Sequence, residues 1–310
     1  MGISVLIINY IKSLKLDDKI IEVINTDNKK VSPEASVIIV TYNTNQKLLS
    51  QNLDSLKNQL NNKFEIIIVD NSDKKDVKSI VSSYSLKYIK LNKNYGLSLA
   101  RNIGIKFARG DIVIFLDDDA IPAKNFVKEH IRAHNECNIL GLRGKSLPRT
   151  STIYNYLVSH YDYGNQIIPS IINLEGNSSF KRDMLIEIGG FNPELLGAGG
   201  YEGLELTYRI IKKYEDKNKL IYYPNTVIYH DYSSNFIKYL KKALRHAKYR
   251  NIIEAQFKDI FKFFREYHLS PKNSKRDVPG FPLRLKIAMI RKITVFAIRV
   301  QKIIDIFTEK

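Results

Sequence analysis

Apolar runs alternate with segments of helical spacing along residues 35–116, and this alternation constrains the fold more than any other feature of the chain. The runs are short and rich in Val and Ile, as buried strands are, and they lie at Ser36–Val40, Phe64–Val69, Leu86–Leu91 and Ile112–Leu116. The helical segments between them are Gln46–Leu60, Asp76–Tyr84 and Gly96–Ala108. Strands separated by helices of this length predict βαβ units, and so an α/β, Rossmann-like fold with a mainly parallel sheet.

Three adjacent carboxylates, Asp117 to Asp119, follow the fourth of these runs. Unpaired acids repel one another and resist desolvation, so a cation is the expected partner. Because side chains alternate along a strand, Asp117 and Asp119 are predicted to face one side and grip one ion, while Asp118 faces elsewhere. Oxygen ligands suit Mg²⁺ or Mn²⁺, which bridge to phosphate oxygens. The stretch therefore predicts a metal-dependent enzyme that acts on a diphosphate-bearing substrate, although acid clusters also occur as helix caps and solvated loop tips.

Polar residues follow two more strands at the same predicted edge of the sheet. Thr41-Tyr42-Asn43 follows the first strand, and Asp70-Asn71 follows the second. Ligands of open parallel sheets bind beyond the carboxyl ends of the strands. The convergence of these groups with the acid cluster is what a nucleotide pocket needs.

Cysteine content and the opening residues restrict the class of protein. Cys137 is the single cysteine of 310 residues, so an internal disulfide framework and a cysteine-based zinc site are both excluded. Residues 1–11 are apolar, but they lack a basic leader and a cleavage site and are too short to span a bilayer. These features predict neither a signal peptide nor a membrane anchor, and they favour a cytoplasmic location.

The positive charge of the chain is concentrated near its end. Residues 236–310 hold 19 Lys and Arg against 6 Asp and Glu, which places +13 of the net +17 in this stretch. The basicity is therefore expected to belong to a tail used for association, and not to the catalytic face. A helical wheel of residues 283–307 separates two arcs. The basic arc holds Arg284, Arg291, Lys292, Arg299 and Lys302 together with Asp305, and Lys286 is the exception that lies outside it. The apolar arc holds Ile287, Ile290, Ile293, Val295, Ile298, Ile303 and Ile306 or their neighbours. Two interpretations stay open: a helix lying on the inner face of an anionic membrane, or a helix packed on its own domain.

The region after residue 140 is less regular. Ile171–Phe180 resembles a strand that carries Glu175-Gly176-Asn177, and a short helix to Ile188 follows. A second helix is predicted over Gly203–Lys213, and Thr226–Tyr229 is a β-branched run that ends in His230. The glycines of a predicted mobile loop precede that second helix, at Gly189, Gly190, Gly197, Gly199 and Gly200.

Seven motifs in this order resemble the GT-A glycosyltransferases of family 2 and their galactosyltransferase-like relatives. The resemblance covers about residues 35–232 and is carried by Val37–Asn43, Ile66–Ser72, Asn94–Asn102, Phe115–Asp119, Gly189–Asn192, Glu202–Leu206 and His230. It implies a GT-A domain over residues 35–235, between an N-terminal extension (1–34) and a basic helical region (236–310). It also implies a hexosyltransferase-like enzyme of glycan or polysaccharide biosynthesis, which moves a sugar from a nucleotide-sugar donor, with a leaning to uridine, onto a glycan or lipid-linked acceptor.

The same resemblance implies roles for individual residues. Asp70 would read the base edge beside Thr41, and Arg101 would contact the base or a phosphate. The further donor-binding residues are Tyr42, Asn43, Asn71, Gly96, Asp118, Gly176 and Asn177. Asp117, Asp119 and His230 would hold Mn²⁺ or Mg²⁺, which acts as a Lewis acid on the leaving nucleoside diphosphate.

The catalytic base is where the sequence departs from the family pattern. Family members carry Glu-Asp before this helix, and here the Asp position reads Gly203 when the motif is aligned on Glu205-Leu206. When the motif is aligned on Gly199-Gly200 instead, Tyr201 takes the Glu position and Glu202 takes the Asp position. Either way Glu202 is the best carboxylate for the base. Glu205 is the second choice, and it can instead pair with Arg209 at i+4. Inversion of configuration is expected, but the missing Asp leaves retention open.

Four alternatives compete with a glycosyltransferase. Haloacid-dehalogenase-type phosphatases and sugar nucleotidyltransferases both need motifs that the chain lacks. A nucleic-acid-binding module could use the Lys, Arg, Tyr and Phe residues around Tyr239–Phe264, but it leaves the acid cluster unexplained. A catalytically degenerate transferase is the fourth alternative, because of Gly203.

Overall fold

A computed structural model describes residues 10–27, 32–61, 63–73, 76–158, 161–195, 201–267 and 280–308. Its centre is a parallel sheet of the four strands that the sequence predicts. They are β2 (Ala35–Thr41), β3 (Phe64–Asp70), β4 (Lys87–Leu91) and β5 (Ile112–Leu116), in the spatial order β4-β3-β2-β5. The chain winds outward from β2 through β3 to β4 and then returns to the other side of β2. The switch point of this sheet lies between β2 and β5, where a ligand crevice is expected.

Further strands extend the sheet at both edges. They are β1 (Ile20–Asn25), β6 (Ile121–Pro122), β7 (Gly141–Leu147), β8 (Ile168–Pro169), β9 (Asn177–Lys181) and β10 (Leu220–Tyr229). β1 pairs antiparallel with β4, and β9 lies antiparallel between β5 and β7. β10 is parallel to β7 and antiparallel to β6 and β8. The predicted α/β class with a mainly parallel core is confirmed.

Helices cover both faces of the sheet. They are α1 (Tyr10–Ser13), α2 (Gln46–Lys57), α3 (Lys78–Val81), α4 (Leu97–Phe107), α5 (Phe126–Glu136), α6 (Arg182–Ile188), α7 (Glu202–Tyr214), α8 (Phe236–Gln256), α9 (Ile260–Glu266) and α10 (Phe281–Thr308). Side-chain alternation along β2 divides the core, since Ile38 faces α4 and Ile39 faces α2. Nearly every residue of these parallel strands is buried, as expected of strands covered on both faces.

Three features differ from the sequence predictions. The strand predicted at Ile171–Phe180 begins at Asn177, and β10 begins six residues before the predicted Thr226. β5 ends at Leu116, so the acids lie in a turn and not on the pleat of a strand. The alternation argument for Asp117 and Asp119 is therefore wrong, although the two carboxylates do meet. The predicted loop glycines at 197, 199 and 200 lie outside the described residues, as do residues 1–9.

The ends of the described chain belong to the same body as the sheet. Ile11 and Leu14 pack into the core before β1, and Phe263 and Phe264 of α9 pack into it from the other end. The aromatic side chains that a nucleic-acid module would use for base stacking are therefore buried here. Within the described ranges, no helix is both long and apolar enough to cross a membrane.

Candidate functional site

A cleft of about 520 Å³ opens beyond the end of β5, at the switch point of the sheet. The sequence-predicted residues that line it are Arg101, Asp117, Asp118, Asp119, Gly176, Glu202 and His230. Side chains to which no role was given complete its wall: Leu97, Tyr161, Asn173, Leu174, Glu175, Tyr201, Leu204, Tyr232, Lys242, Arg245 and His246.

Asp117, Asp119 and His230 form a cluster within this cleft, in which one ligand atom of each lies within 4.8 Å of the others. His230 Nε2 lies 3.2 Å from Asp119 Oδ1. Adjacent ligands bound at about 2.1 Å to one octahedral ion lie about 3 Å apart, so this spacing suits a shared divalent cation. His230 Nδ1 lies 3.3 Å from the Tyr161 hydroxyl, which can orient the ring. Two carboxylates and an imidazole therefore fit Mn²⁺ or Mg²⁺.

The acid turn is held by contacts from other elements. Asn52 of α2 donates from Nδ2 to the carbonyl oxygens of Asp117 at 3.0 Å and Ala120 at 2.7 Å. The Asp117 N–H donates to the carbonyl of Gly176 at 3.3 Å. A Cβ at position 176 would overlap the Asp117 carboxyl group, so only glycine allows the carboxylate this position.

Charge and burial shift the pKa values of the cluster. Burial, together with the neighbouring Asp119, raises the pKa of Asp118 to about 7, and a hydrogen bond from Thr44 opposes this shift. Burial alone would raise the pKa of Asp119, but the hydrogen bond and charge of His230 outweigh it and lower that pKa. Burial likewise opposes charge on His230, but Asp119 and Asp117 raise its pKa. Proton binding by His230 and ionisation of Asp119 thus favour each other.

Side chains from α8 form one wall of the cleft, where Lys242 and Arg245 are cationic groups, whereas burial lowers the pKa of His246 to about 4. Lys242, Arg245 and His246 recur at helical spacing and all three line it. Burial lowers the pKa of Lys242, while the charges of Asp117 and Asp119 oppose that shift. The expectation that basicity stays away from the catalytic face is therefore wrong, because α8 folds back over the sheet.

Arg101 lies on the floor of the cleft. It is 4% exposed, and its Nη1 has no hydrogen-bond partner in the described part of the chain. Its guanidinium carbon lies 5.8 Å from the ring centre of Phe115 and 5.1 Å from that of Phe191. A buried cationic donor with spare hydrogen-bonding capacity suits an anionic ligand.

Asp70 and Thr41 lie inside the protein and not in the cleft. The Asp70 carboxylate has no exposed surface and accepts hydrogen bonds from Tyr88 at 2.8 Å and Lys90 at 3.2 Å. It also accepts from the Thr41 hydroxyl at 3.3 Å and from the backbone N–H of Ser72. In this arrangement Asp70 orders the ends of β2 and β3.

The other predicted donor-binding residues have internal partners or lie outside the cleft wall. Asn71 accepts from the Tyr95 N–H at 2.8 Å and donates to Gly96 O, which orders the entry to α4. Asn177 donates from Nδ2 to the carbonyl oxygens of Lys145 and Thr226, each at 2.9 Å. Tyr42 is exposed, and Asn43 has a positive φ of 49°.

Three carboxylates compete for the role of base. Glu205 is fully buried and pairs with Arg209 through both oxygens, at 2.5 and 2.8 Å, away from the cleft wall. Glu202 lines the cleft at the start of α7. Glu175 lines it from the turn before β9, and its Oε1 accepts from the Gly203 N–H at 2.7 Å.

Sequence patterns could have placed some of the unassigned wall residues in the cleft, but not others. The Lys242, Arg245 and His246 spacing was readable as one face of a helix. The position of Glu175 depends on a contact with a residue 28 positions away, for which no local pattern exists.

Comparison with known proteins identifies the family. The sequence model described as Glycosyl transferase family 2 matches residues 36–191. Chondroitin synthase of Pasteurella multocida is 28% identical over 223 residues, which is 57% of this chain and 23% of the synthase. The mannosyltransferase PcManGT from Pyrobaculum calidifontis, solved with GDP-Man and Mn²⁺, superposes with a TM-score of 0.55 at 20% identity, covering 87% of this chain and 73% of that one.

A second solved structure has the same fold. S. aureus TarS in complex with UDP-GlcNAc has a TM-score of 0.54 at 19% identity, covering 86% of this chain and 81% of that one. The chain spans less than two thirds of the length of the first curated relatives that it matches. The GT-A fold is confirmed by these likenesses, and the family match spans half of the sequence. The chain belongs to glycosyl transferase family 2.

Proposed function

We propose that this protein transfers a sugar from a nucleotide-sugar donor to a hydroxyl of a glycan or lipid-linked acceptor, and that the reaction depends on Mn²⁺ or Mg²⁺. Residues 35–235 form the catalytic domain, and α8 of the following region completes its cleft. The observation that carries this proposal is the cluster of Asp117, Asp119 and His230 at the switch point of a family 2 fold.

The charges around the cluster suit a nucleoside diphosphate. Carboxylates at one wall would repel a diphosphate unless a cation lay between them. Arg101 on the floor and Lys242 and Arg245 on α8 add positive groups that face the same space. When bound, a divalent ion at Asp117, Asp119 and His230 supplies positive charge to the leaving diphosphate. The protein's own cations place and neutralise the rest of that group.

The acceptor hydroxyl needs a base that removes its proton as the new bond forms. Glu175 and Glu202 are carboxylates of the cleft wall that can serve, whereas Glu205 is held by Arg209. A base on the wall of the cleft favours one direct displacement with inversion at the sugar carbon. We propose a uridine nucleotide as donor, supported by the UDP-GlcNAc complex of the TarS neighbour, while GDP-Man in the other neighbour makes guanosine the alternative.

A donor panel tests the function. We expect release of UDP from at least one UDP-sugar in the presence of Mn²⁺ and a glycan or lipid-linked acceptor, with loss of release in EDTA. Asp119→Asn removes one predicted ligand and is expected to lower turnover by at least 100-fold. Binding calorimetry with UDP- and GDP-sugars in Mn²⁺ provides an independent readout. No heat and no nucleotide release with any donor would contradict the proposal, and so would salt-sensitive oligonucleotide binding that ignores Mn²⁺.

We further propose that α10 docks on an anionic membrane surface. Its buried or half-buried residues, which include Ile287 and Thr294, repeat along one face that packs against the body of the protein. A second stripe of apolar side chains is exposed: Phe281, Leu285, Met289, Ile293, Phe296, Val300, Ile303 and Ile304. Exposed Lys286 and Lys292 border this stripe, as in helices that lie among lipid headgroups.

Vesicle flotation tests this surface. We expect the full chain to bind vesicles of phosphatidylglycerol and phosphatidylcholine, and to bind phosphatidylcholine alone much less. Replacing Phe296 and Leu285 together by Ser is expected to abolish flotation without changing donor binding. Equal flotation of the variant and the parent protein would contradict membrane docking, and dimerisation lost in the same variant would identify a second copy as the occupant.

A further inference from the structure

Gly203 stands where the family pattern, aligned on Glu205-Leu206, predicts an aspartate, and the structure gives a physical reason for the glycine. A Cβ built at position 203 would lie 2.5 Å from Oε1 and 2.8 Å from Cγ of Glu175, and would overlap the Ile172 carbonyl oxygen. The side chain of Glu175 therefore occupies the space that a side chain at position 203 would enter. A carboxylate is present at the start of α7, but it comes from a different part of the chain.

Two contacts fix the Glu175 carboxylate at this place. The backbone N–H of Gly203, in the first turn of α7, donates to Oε1 at 2.7 Å. The Ser178 hydroxyl donates to the backbone carbonyl of Glu175 at 2.9 Å, which orders the turn before β9. No donor among the described residues reaches Oε2. One oxygen of Glu175 is thus anchored at a helix N-terminus, and the other is available to a substrate hydroxyl.

Glu175 also lies beside the predicted metal cluster. It lines the cleft, and the next residue, Gly176, is the one whose missing Cβ accommodates the Asp117 carboxylate. The charge of Glu175 acts on Lys242 across the cleft, together with the charges of Asp117 and Asp119. The carboxylate thus shares one space with the groups that would bind the donor.

The competing carboxylates are placed less favourably. Glu205 is held through both oxygens by Arg209. Glu202 is 2% exposed and faces α8, where its charge adds to burial in raising the pKa of Tyr249. Of the three, Glu175 is the one whose position coincides with the missing family side chain.

We propose that Glu175 is the general base of the transfer reaction, in place of the aspartate that the family pattern predicts at position 203. This inference rests on the proposed function. Oε2 of Glu175 takes the proton of the acceptor hydroxyl as the hydroxyl oxygen forms its bond to the anomeric carbon. The bond from that carbon to the diphosphate oxygen breaks, and its electron pair leaves with the nucleoside diphosphate.

The test compares Glu175→Gln, Glu175→Asp and Glu202→Gln in the full chain with the donor that the panel identifies. Glu175→Gln keeps an oxygen for the Gly203 N–H. Its melting temperature is therefore expected to stay within a few degrees of the parent value, and its affinity for the donor in Mn²⁺ within twofold. Its kcat is expected to fall by about 10²- to 10⁴-fold. Glu175→Asp keeps a carboxylate on a side chain that is one methylene shorter, so it is expected to recover about tenfold of that loss but not the parent kcat. Glu136→Gln, on the exposed side of α5, is the control with parent kcat.

The outcomes separate two failures. A parent protein that releases no nucleoside diphosphate overturns the proposed function itself. A parent protein that turns over, with Glu175→Gln within threefold of its kcat, overturns the role of Glu175 alone. A larger kcat loss in Glu202→Gln than in Glu175→Gln assigns the base to Glu202. If Glu175→Gln fails to fold, Glu175→Asp decides, because full activity with the shorter carboxylate argues against a positioned base.

Discussion

Two glycines of the cleft, Gly176 and Gly203, each leave a space that a carboxylate fills. At Gly176 the carboxylate belongs to Asp117, and at Gly203 it belongs to Glu175. Neither glycine has the positive φ that would require glycine for backbone reasons. Glycine is therefore required at both positions by the neighbouring carboxylate and not by the backbone. A substitution there is expected to displace that carboxylate before it affects the fold.

Replacement of Gly176 by Ala should move the Asp117 carboxylate, because the added methyl group would overlap it. Displacement of one ligand is expected to weaken Mn²⁺ binding by about 10- to 100-fold, as measured by calorimetry in the presence of UDP. Gly280→Ala is the matched control, since nothing lies within 4 Å of a Cβ there. Equal Mn²⁺ affinity in both variants would show that Asp117 is not a ligand.

At the scale of elements, α5 and β9 are joined by buried polar groups behind the cleft. His130 Nδ1 lies 2.8 Å and His134 Nε2 lies 2.9 Å from the Ser179 hydroxyl, which can donate to one ring and accept from the other. Asn177 links the same network to β7 and β10 through its amide. Asn177, which the sequence predicts to bind the donor, thus joins β9 to β7 and β10.

Acid should destabilise this junction. Burial lowers the pKa of His130 and His134 to about 3 in the folded protein, against 6.5 for an ordinary imidazole. The unfolded chain binds more protons between these values, so the stabilisation is present above pH 6.5 and is lost as the pH falls towards 3. Each imidazole contributes at most about 1.4 kcal/mol per pH unit to the slope. Urea unfolding of the parent and of His134→Gln at pH 7 and pH 5 measures it, and we expect a shallower slope in the variant. An unchanged slope would mean that folding does not lower the pKa of His134.

The elements that could be predicted from sequence are those whose own residues form a recognisable apolar pattern. β2, β3 and β5 are runs of Val and Ile, and their ends were placed within about two residues. β7 was missed because its sequence, Gly-Leu-Arg-Gly-Lys-Ser-Leu, has neither an apolar run nor clean alternation. Arg143 is buried in that strand between the rings of Tyr163 and Tyr222, which only the assembled sheet provides.

The residues of the candidate site also divide into those that sequence could predict and those that it could not. The acid cluster and His230 were readable because each follows a strand at one edge of the sheet. Asp70 was assigned to the ligand, whereas the structure uses both its oxygens internally, and sequence cannot distinguish a satisfied acid from an available one. The Glu175 contact with Gly203 joins segments that are distant along the chain, so it follows from tertiary structure alone.

The whole molecule places its basic region in two different settings. α8 brings Lys242 and Arg245 into the cleft, and α10 presents Lys286 and Lys292 beside an exposed apolar stripe. A chain of net charge +17 thus does not carry its basicity as one patch. Positive groups therefore line the acidic cleft on one side and border the exposed apolar stripe of α10 on the other.

Replacement of Lys242 in the cleft should have opposite effects on the binding of Mn²⁺ and of UDP. Its side chain is half-buried beside Tyr232, and its charge acts on Asp117 and Asp119. Lys242→Gln removes a cation that competes with the metal, so Mn²⁺ alone is expected to bind more tightly. The same change removes a partner of the diphosphate, so UDP in saturating Mn²⁺ is expected to bind about tenfold more weakly, or about 1.4 kcal/mol. Lys241→Gln, on the exposed side of the same helix, should change neither affinity. Calorimetry of Mn²⁺ and of UDP with both variants measures the direction of each change in affinity. Changes of the same sign for Mn²⁺ and UDP would indicate that Lys242 supports the fold of the cleft and does not contact the diphosphate.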